Sequence, residues 1–285
     1  MSCPSYAVGC QLNPVTNAKY DACCVSDSVF VFAQNYSIGL TYRTASPAWT
    51  KNSVAAAIGP KFTMHGLWAD HCDGSYETTK WTNQALGLAN GTNYDLFGCD
   101  ASRAFQNAQQ VIAADCNNAY LNTWIDTFWR AGDGDNNWLV AHEWSKHGTC
   151  TGSFGNACYP GQGPFAGFFD FLKVSLAVYQ QLDIMAAFNK AGIFPSDVNT
   201  YTLAQLVAAH KAAFGAPGAM QCQGNTGKGV GPQYLSEVWT YLQEVPNKRY
   251  VPFDANTIGP KVVYNSCNDS IPIIIPVTPS PLNKF

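Results

Sequence analysis

The sequence predicts an α+β fold. Helix-compatible and strand-like segments stand apart along the chain and do not alternate as regular β-α units. Short β-forming runs lie in the first quarter, and doubled aromatic stripes at helical spacing fill the middle. At 285 residues with no internal repeat, the length fits one large domain or two small ones.

Val29 to Ala33 is a short apolar run of β-formers and predicts a buried strand. Residues 37 to 60, rich in Thr, Ser, Ala and Pro, predict an extended loop. Phe62 to Asp70 predicts a second strand, whose alternation places Thr63, His65 and Leu67 on one face. A Gly- and Ser-containing loop then carries Asp70, His71, Cys72 and Tyr76. Asp100 is placed to cap a helix to about Ala114, and Asn117 or Asn118 to start the next. In that next helix Tyr120, Trp124 and Phe128 form one stripe, and Leu121, Ile125 and Trp129 another. After the turn-rich stretch 132–137, Trp138 leads into a helix over 142–148. Phe165 to Lys190 is helix-compatible with Gly192 as its stop, and Thr202 caps a helix to Phe214 closed by Gly215. Glu237 to Gln243 alternates like a strand. The Pro-rich stretch 271–285 has little to pack and is expected to be mobile. Ile271 to Val277 is too short for a membrane span and is broken by Pro272 and Pro276.

The chemistry concentrates in His142-Glu143-Trp144-Ser145-Lys146-His147-Gly148-Thr149-Cys150. On a helix at ~100° per residue, Lys146, Glu143 and His147 fall within ~140° of His142. Two imidazoles, a carboxylate and an ammonium then share one side. Trp144 points to the core, and Gly148 is placed to end the turn. A zinc site is disfavoured, because H-E-x-x-H needs its second His where Lys146 stands, and an ammonium repels a divalent cation. The bland reading is a solvated helix with Glu143 and His147 paired at i,i+4.

Phe62-Thr63-Met64-His65-Gly66-Leu67-Trp68 supplies a third imidazole. Together the patterns F-T-x-H-G-L-W and H-E-W-x-K-H-G-T-C resemble the two active-site segments of the T2 ribonucleases. The likeness spans residues 3 to 267 and includes the cysteine layout. Met64 and Ala69 depart from the family without changing a chemical group, and Gln34 is followed by Asn35 where the family has Trp.

The resemblance implies an antiparallel sheet with packed helices in one disulfide-stapled domain over 1–267, with a tail at 268–285. It implies the pairs Cys3–Cys24, Cys10–Cys72, Cys23–Cys158, Cys99–Cys150 and Cys222–Cys267, which leaves Cys116 over. It implies a metal-independent endoribonuclease with no cofactor that forms a 2′,3′-cyclic phosphate and then a 3′-phosphate. His65 and His147 would be the acid–base pair, with His147 leaning to base. Lys146 would stabilise charge on the phosphoryl oxygens, Glu143 would either bond one of them when protonated or tune a neighbouring imidazole, and His142 would orient the phosphate. Trp68, Asp70 and Tyr76 would hold a first base and Gln34 a second. The expected partner is single-stranded RNA, taken by a monomer.

Composition agrees with a local pocket. The net charge is −3 and charged residues are 12% of the chain, unlike a protein that grips many phosphates. Eleven cysteines indicate an oxidising compartment. Sequons at Asn35, Asn90 and Asn268 point the same way. Ser2-Cys3-Pro4 reads as a mature start without an apolar leader. The expected location is secreted or vacuolar-lysosomal, and the resemblance implies a fungal, acid-active type. The rival reading is an extracellular interaction protein that keeps the scaffold and acts through its surface. His71 and His210 are expected at the surface without a role.

Overall fold

The computed structural model describes residues 3–43, 50–77, 98–224, 231–259 and 262–281. The strands are β1 Val29–Tyr36, β2 Phe62–Asp70, β3 Ser196–Tyr201, β4 Gly218–Gly224, β5 Gln233–Val245, β6 Arg249–Pro252 and β7 Ile273–Ile275. The helices are α1 Ser37–Leu40, α2 Asn52–Ile58, α3 Ala108–Ala113, α4 Leu121–Phe128, α5 Asn136–Lys146, α6 Ala166–Gln181, α7 Ile184–Lys190 and α8 Leu203–Phe214. The class is α+β, as predicted.

One sheet runs β2-β1-β5-β7-β3, with β4 and β6 also paired to β5. Its pairs are antiparallel except β5 with β7. β1 is buried along its whole length, which its unbroken apolar start anticipates. Alternation sends Phe30 and Phe32 to one face, where they join Leu67, Trp129, Trp144, Phe168 and Phe171 under the helices. Val29 and Val31 face the other way, toward Trp68, Trp239 and Tyr241. A third cluster gathers Tyr36, Phe188, Leu206, Val238, Ile273 and Ile275 beneath α7 and α8.

β2 does not keep simple alternation. The ladder pairs Ala33 with Gly66 but Gln34 with Met64, so His65 is the extra residue of a β-bulge. Leu67 therefore joins the helical core and does not share a face with His65.

All five disulfides form between the pairs that the resemblance implies, and Cys116 is free and exposed. The Cys23–Cys158 bridge closes 135 residues of sequence. A loop of that size stabilises by about 3–5 kcal/mol through the unfolded chain.

Several expectations need correction. Residues 268–281 are not a loose tail. Ile273–Ile275 inserts between β5 and β3, and its branched side chains are buried. The 37–60 loop contains α1 and α2. The single helices expected over 100–114 and 165–190 are each interrupted. Asp100 caps only a short 3₁₀ turn, and Asp183 caps a fresh start at α7. α8 is as predicted, with a reciprocal Thr202–Gln205 capping box and Gly215 left-handed at φ 81°.

Two further corrections concern side chains. The Asn35 sequon lies inside β1 with its side chain buried, where no glycan fits the folded chain. Asn90 lies outside the described residues. Asn268 sits partly exposed in a turn with Ser270.

His210 is fully buried, not on the surface. Its Nδ1 lies 2.8 Å from the Ala216 carbonyl and its Nε2 2.8 Å from Thr240 Oγ1. Burial holds its pKa down at about 4. The unfolded chain therefore binds a proton below ~6.5 that the native state refuses. Stability from this group is complete above that pH and falls by up to about 3 kcal/mol as pH drops toward 4. Urea unfolding at pH 7 and pH 4.5 checks this: His210→Gln is expected to lose less stability between the two pH values than the parent chain.

Candidate active site

β2 is an edge strand, and α5 lies against it. α5 starts where the Asp135 carboxylate accepts the Trp138 backbone N–H. Trp144 anchors its buried face, donating its indole N–H to the Arg103 carbonyl at 2.8 Å. A Cβ on Gly148 would strike the Trp144 ring, so this glycine serves close packing and not a left-handed cap. Gly66 has the matching role on β2: a Cβ there would fall on the Glu143 carboxylate. The two motifs are thus pressed together, glycine against carboxylate.

The bulge aims His65 into this junction. Its carbonyl accepts the Trp129 indole N–H at 2.6 Å, which ties the bulge to the end of α4. Glu143 is fully buried. Its Oε2 accepts the Trp68 indole N–H at 2.7 Å, and its Oε1 lies 3.5 Å from His65 Nε2 and 4.0 Å from His142 Nε2. His65 Nδ1 lies 3.4 Å from Oε1 of Glu237, on β5. His147 lies nearly flat on the Trp68 indole, with centroids 5.3 Å apart, and His65 meets the same indole edgewise at 5.0 Å. His142 stacks on Trp138 at 5.0 Å.

These groups border a cavity of about 460 Å³, lined by His65, Trp68, His142, Glu143, Lys146 and His147 on one side and by Asp70, Tyr76, Trp239, Tyr241 and Tyr264 on the other. A second hollow of about 220 Å³ meets it at His65 and His142 and includes Asn35, Arg43, Asp133, Trp138 and Glu237.

The electrostatics separate the imidazoles. Burial opposes charge on His65, but Glu237 and then Glu143 outweigh it and hold its pKa up at about 9. Burial, with Lys146 and His142 beside it, drives His147 well below the usual imidazole range. Burial and Lys146 take His142 down to about 3. Burial raises Glu143 to about 7, partly offset by His65 and the Trp68 hydrogen bond. Burial alone raises Asp70 to about 7. The surroundings thus favour the charged form of His65 and the neutral form of His147, and both rings contact the same indole.

Of the sequence-predicted residues, His65, His142, Glu143, Lys146, His147, Trp68, Asp70 and Tyr76 converge on one cavity. Gln34 does not. It points to the helical face and donates to the Leu182 carbonyl at 2.9 Å. Trp68 is less a free stacking surface than expected, since His147 covers one face and its N–H is bound to Glu143. Ligand atoms of His142, Glu143 and His147 lie within 4.8 Å of one another, close enough to share a cation. Glu237, Trp239 and Tyr264 were not anticipated. The signal was there in part: Glu237, Trp239 and Tyr241 recur every second residue, as on one face of a strand.

Comparison with known proteins places the chain in a family. Residues 27–251 match the model of the ribonuclease T2 family. Ribonuclease Rh of Rhizopus niveus is 28% identical over 258 residues, covering 90% of this chain and 88% of that protein. A ribonuclease T2-like protein of Aspergillus fumigatus is 31% identical over 188 residues, covering 65% of this chain and 39% of that one. The crystal structure of Actibind, a T2 ribonuclease, matches with a TM-score of 0.70 at 23% identity over 98% of both chains.

The Gly66–Glu143 contact is testable by a double-mutant cycle. Gly66→Ala is expected to cost about 1–3 kcal/mol of stability by overpacking. In a Glu143→Ala background the same change is expected to cost at least about 1 kcal/mol less. Denaturant unfolding of the four proteins measures both.

Proposed function

Because this chain belongs to the ribonuclease T2 family, we propose that it is an endoribonuclease that cleaves single-stranded RNA by transphosphorylation, with His147 as base and His65 as acid. The observation that carries this reading is the convergence of His65 and His147, from distant segments, on one indole and one cavity. Neutral His147 takes the 2′-hydroxyl proton, and O2′ attacks phosphorus. The P–O5′ bond breaks as His65 delivers its proton to the leaving oxygen. In the second step water loses a proton to neutral His65 and attacks the cyclic phosphate, while His147 returns its proton to O2′. Each imidazole ends as it began.

Lys146 stabilises charge that builds on the phosphoryl oxygens. Glu143, at about 7, is protonated on the acid side of neutrality and there donates to a phosphoryl oxygen. His142 orients the phosphate. Its anionic charge also raises His147 toward a basicity useful for proton removal. The two imidazoles perform both proton transfers, so the reaction runs without a metal. Aromatic rings at the mouth of the cavity, exposed Tyr76 and Tyr264, offer faces for a base, and Asp70 accepts from a base amino group. The disulfides suit an exported or vacuolar enzyme. The enzyme works as a monomer, since one chain supplies every group named.

The direct test is an RNA digest in excess EDTA with analysis of the ends. Cyclic 2′,3′-phosphate followed by 3′-phosphate is expected; loss of cleavage on chelation would restore a metal at His142, Glu143 and His147. His65→Ala and His147→Ala are each expected to lower turnover at least ~10²-fold.

The rate should also be bell-shaped in pH. It rises as His147 loses its proton, below the ordinary imidazole range, and falls as Glu143 ionises near 7. Glu143→Gln cannot ionise there, so its alkaline limb is expected above 7, toward the titration of His65. A limb left unmoved in that variant would remove Glu143 from the phosphoryl contact.

A further inference from the structure

Glu237 is an unassigned group beside the chemistry. It projects from β5, directly across the ladder from buried Asn35, and its side chain is only 15% exposed. Trp239, two residues on, donates its indole N–H to Oε2 at 2.7 Å and fixes the carboxylate plane. The other oxygen, Oε1, lies 3.4 Å from the buried His65 Nδ1, within ion-pair reach but not aligned as a hydrogen bond, as catalytic pairs in unliganded sites often are not. His65 Nε2 points the opposite way, toward Glu143 and the large cavity.

We propose that Glu237 is the positioning residue of the general acid, holding a proton on Nδ1 of His65 so that Nε2 carries the proton given to the leaving 5′-oxygen. The proposal rests on the transphosphorylation reading above. The logic is that of a carboxylate behind an imidazole: one ring nitrogen is occupied, so the tautomer and ring orientation of the other are set. In the step itself the Nε2–H bond breaks, the O5′–H bond forms, and the P–O5′ electron pair becomes the O5′–H bond. Neutral His65 keeps its Nδ1 proton against Glu237. Water restores the Nε2 proton in the hydrolysis step.

The charged groups around His65 support this division of labour. From α5 it faces Glu143 and Lys146, with His142 and His147 behind them. From β5 it faces Glu237, and Arg43 and Asp133 line the smaller hollow beyond. Glu143 is committed to Trp68 and to the phosphate side. Glu237 lies on the far side of the ring, where it touches no phosphate held between His65 and His147. Its contact with the acid–base pair is through His65, and its charge also adds to the raising of Glu143.

The test compares two substrates that differ in their need for an acid. A ribodinucleotide leaves as a basic 5′-alkoxide and needs a proton. Uridine 3′-(4-nitrophenyl phosphate) leaves as a phenolate and does not. Glu237→Gln keeps the shape and removes the charge. On the dinucleotide its kcat is expected to fall at least ~10-fold, the lower part of a lost acid's effect, with KM within about twofold. On the nitrophenyl ester its kcat is expected within about threefold of the parent. Glu237→Asp keeps the charge at shorter reach, and its ratio of the two rates should lie between those of parent and Gln variant. If the Gln variant does not fold, Asp against parent decides the question. Equal losses on both substrates, or no loss on either, would overturn the role of Glu237. If the parent enzyme cleaves the dinucleotide, such a result counts against Glu237 only. If the parent cleaves neither substrate, the ribonuclease reading itself falls.

Discussion

The burial of the Glu143 carboxylate is the constraint on which the site depends. A carboxylate removed from water is costly unless hydrogen bonds and opposite charge compensate it. Here the compensation comes from the other segment: the Trp68 N–H on one oxygen and the His65 ring on the other. An edge strand and a helix more than 70 residues apart in sequence are thereby held in one register. Gly66 makes the approach possible, because any side chain there would occupy the place of the carboxylate.

From that contact follow the properties of the three imidazoles. His65 lies between two carboxylates, and their field overcomes its burial. His142 and His147 share the site with Lys146, whose charge adds to their burial instead of opposing it. The same fold region thus keeps one ring charged and another neutral at one pH, the condition for paired proton transfer. The β-bulge supplies the geometry. Under simple alternation His65 would share the face of Leu67, which lies in the helical core.

Much of this was legible in the sequence because it is local. Helical spacing places His142, Glu143, Lys146 and His147 together and sends Trp144 inward. Thr202, Gln205 and Gly215 bracket α8 by capping chemistry that acts over four residues. What was not legible depends on distant pairing. A bulge leaves the residue pattern of β2 looking like simple alternation. Glu237 gains meaning only when β5 lies two strands from β2. Ile273–Ile275 reads as a short apolar run between prolines until two strands offer it a slot. His210 looked like a helix-end cation because the sequence does not show the Thr240 hydroxyl and Ala216 carbonyl that satisfy it in the core. Gln34 misses the site because adjacent strand residues face opposite ways, and Asn35, not Gln34, lies on the side of the hollow.

The most direct measurement is the titration of the individual histidine rings by NMR in the unliganded enzyme, with ring nitrogens labelled. The account predicts that His65 stays protonated through neutrality and titrates near 9, while His147 stays neutral to well below 6.5. The reverse order, or two rings titrating together near the ordinary imidazole value, would contradict it.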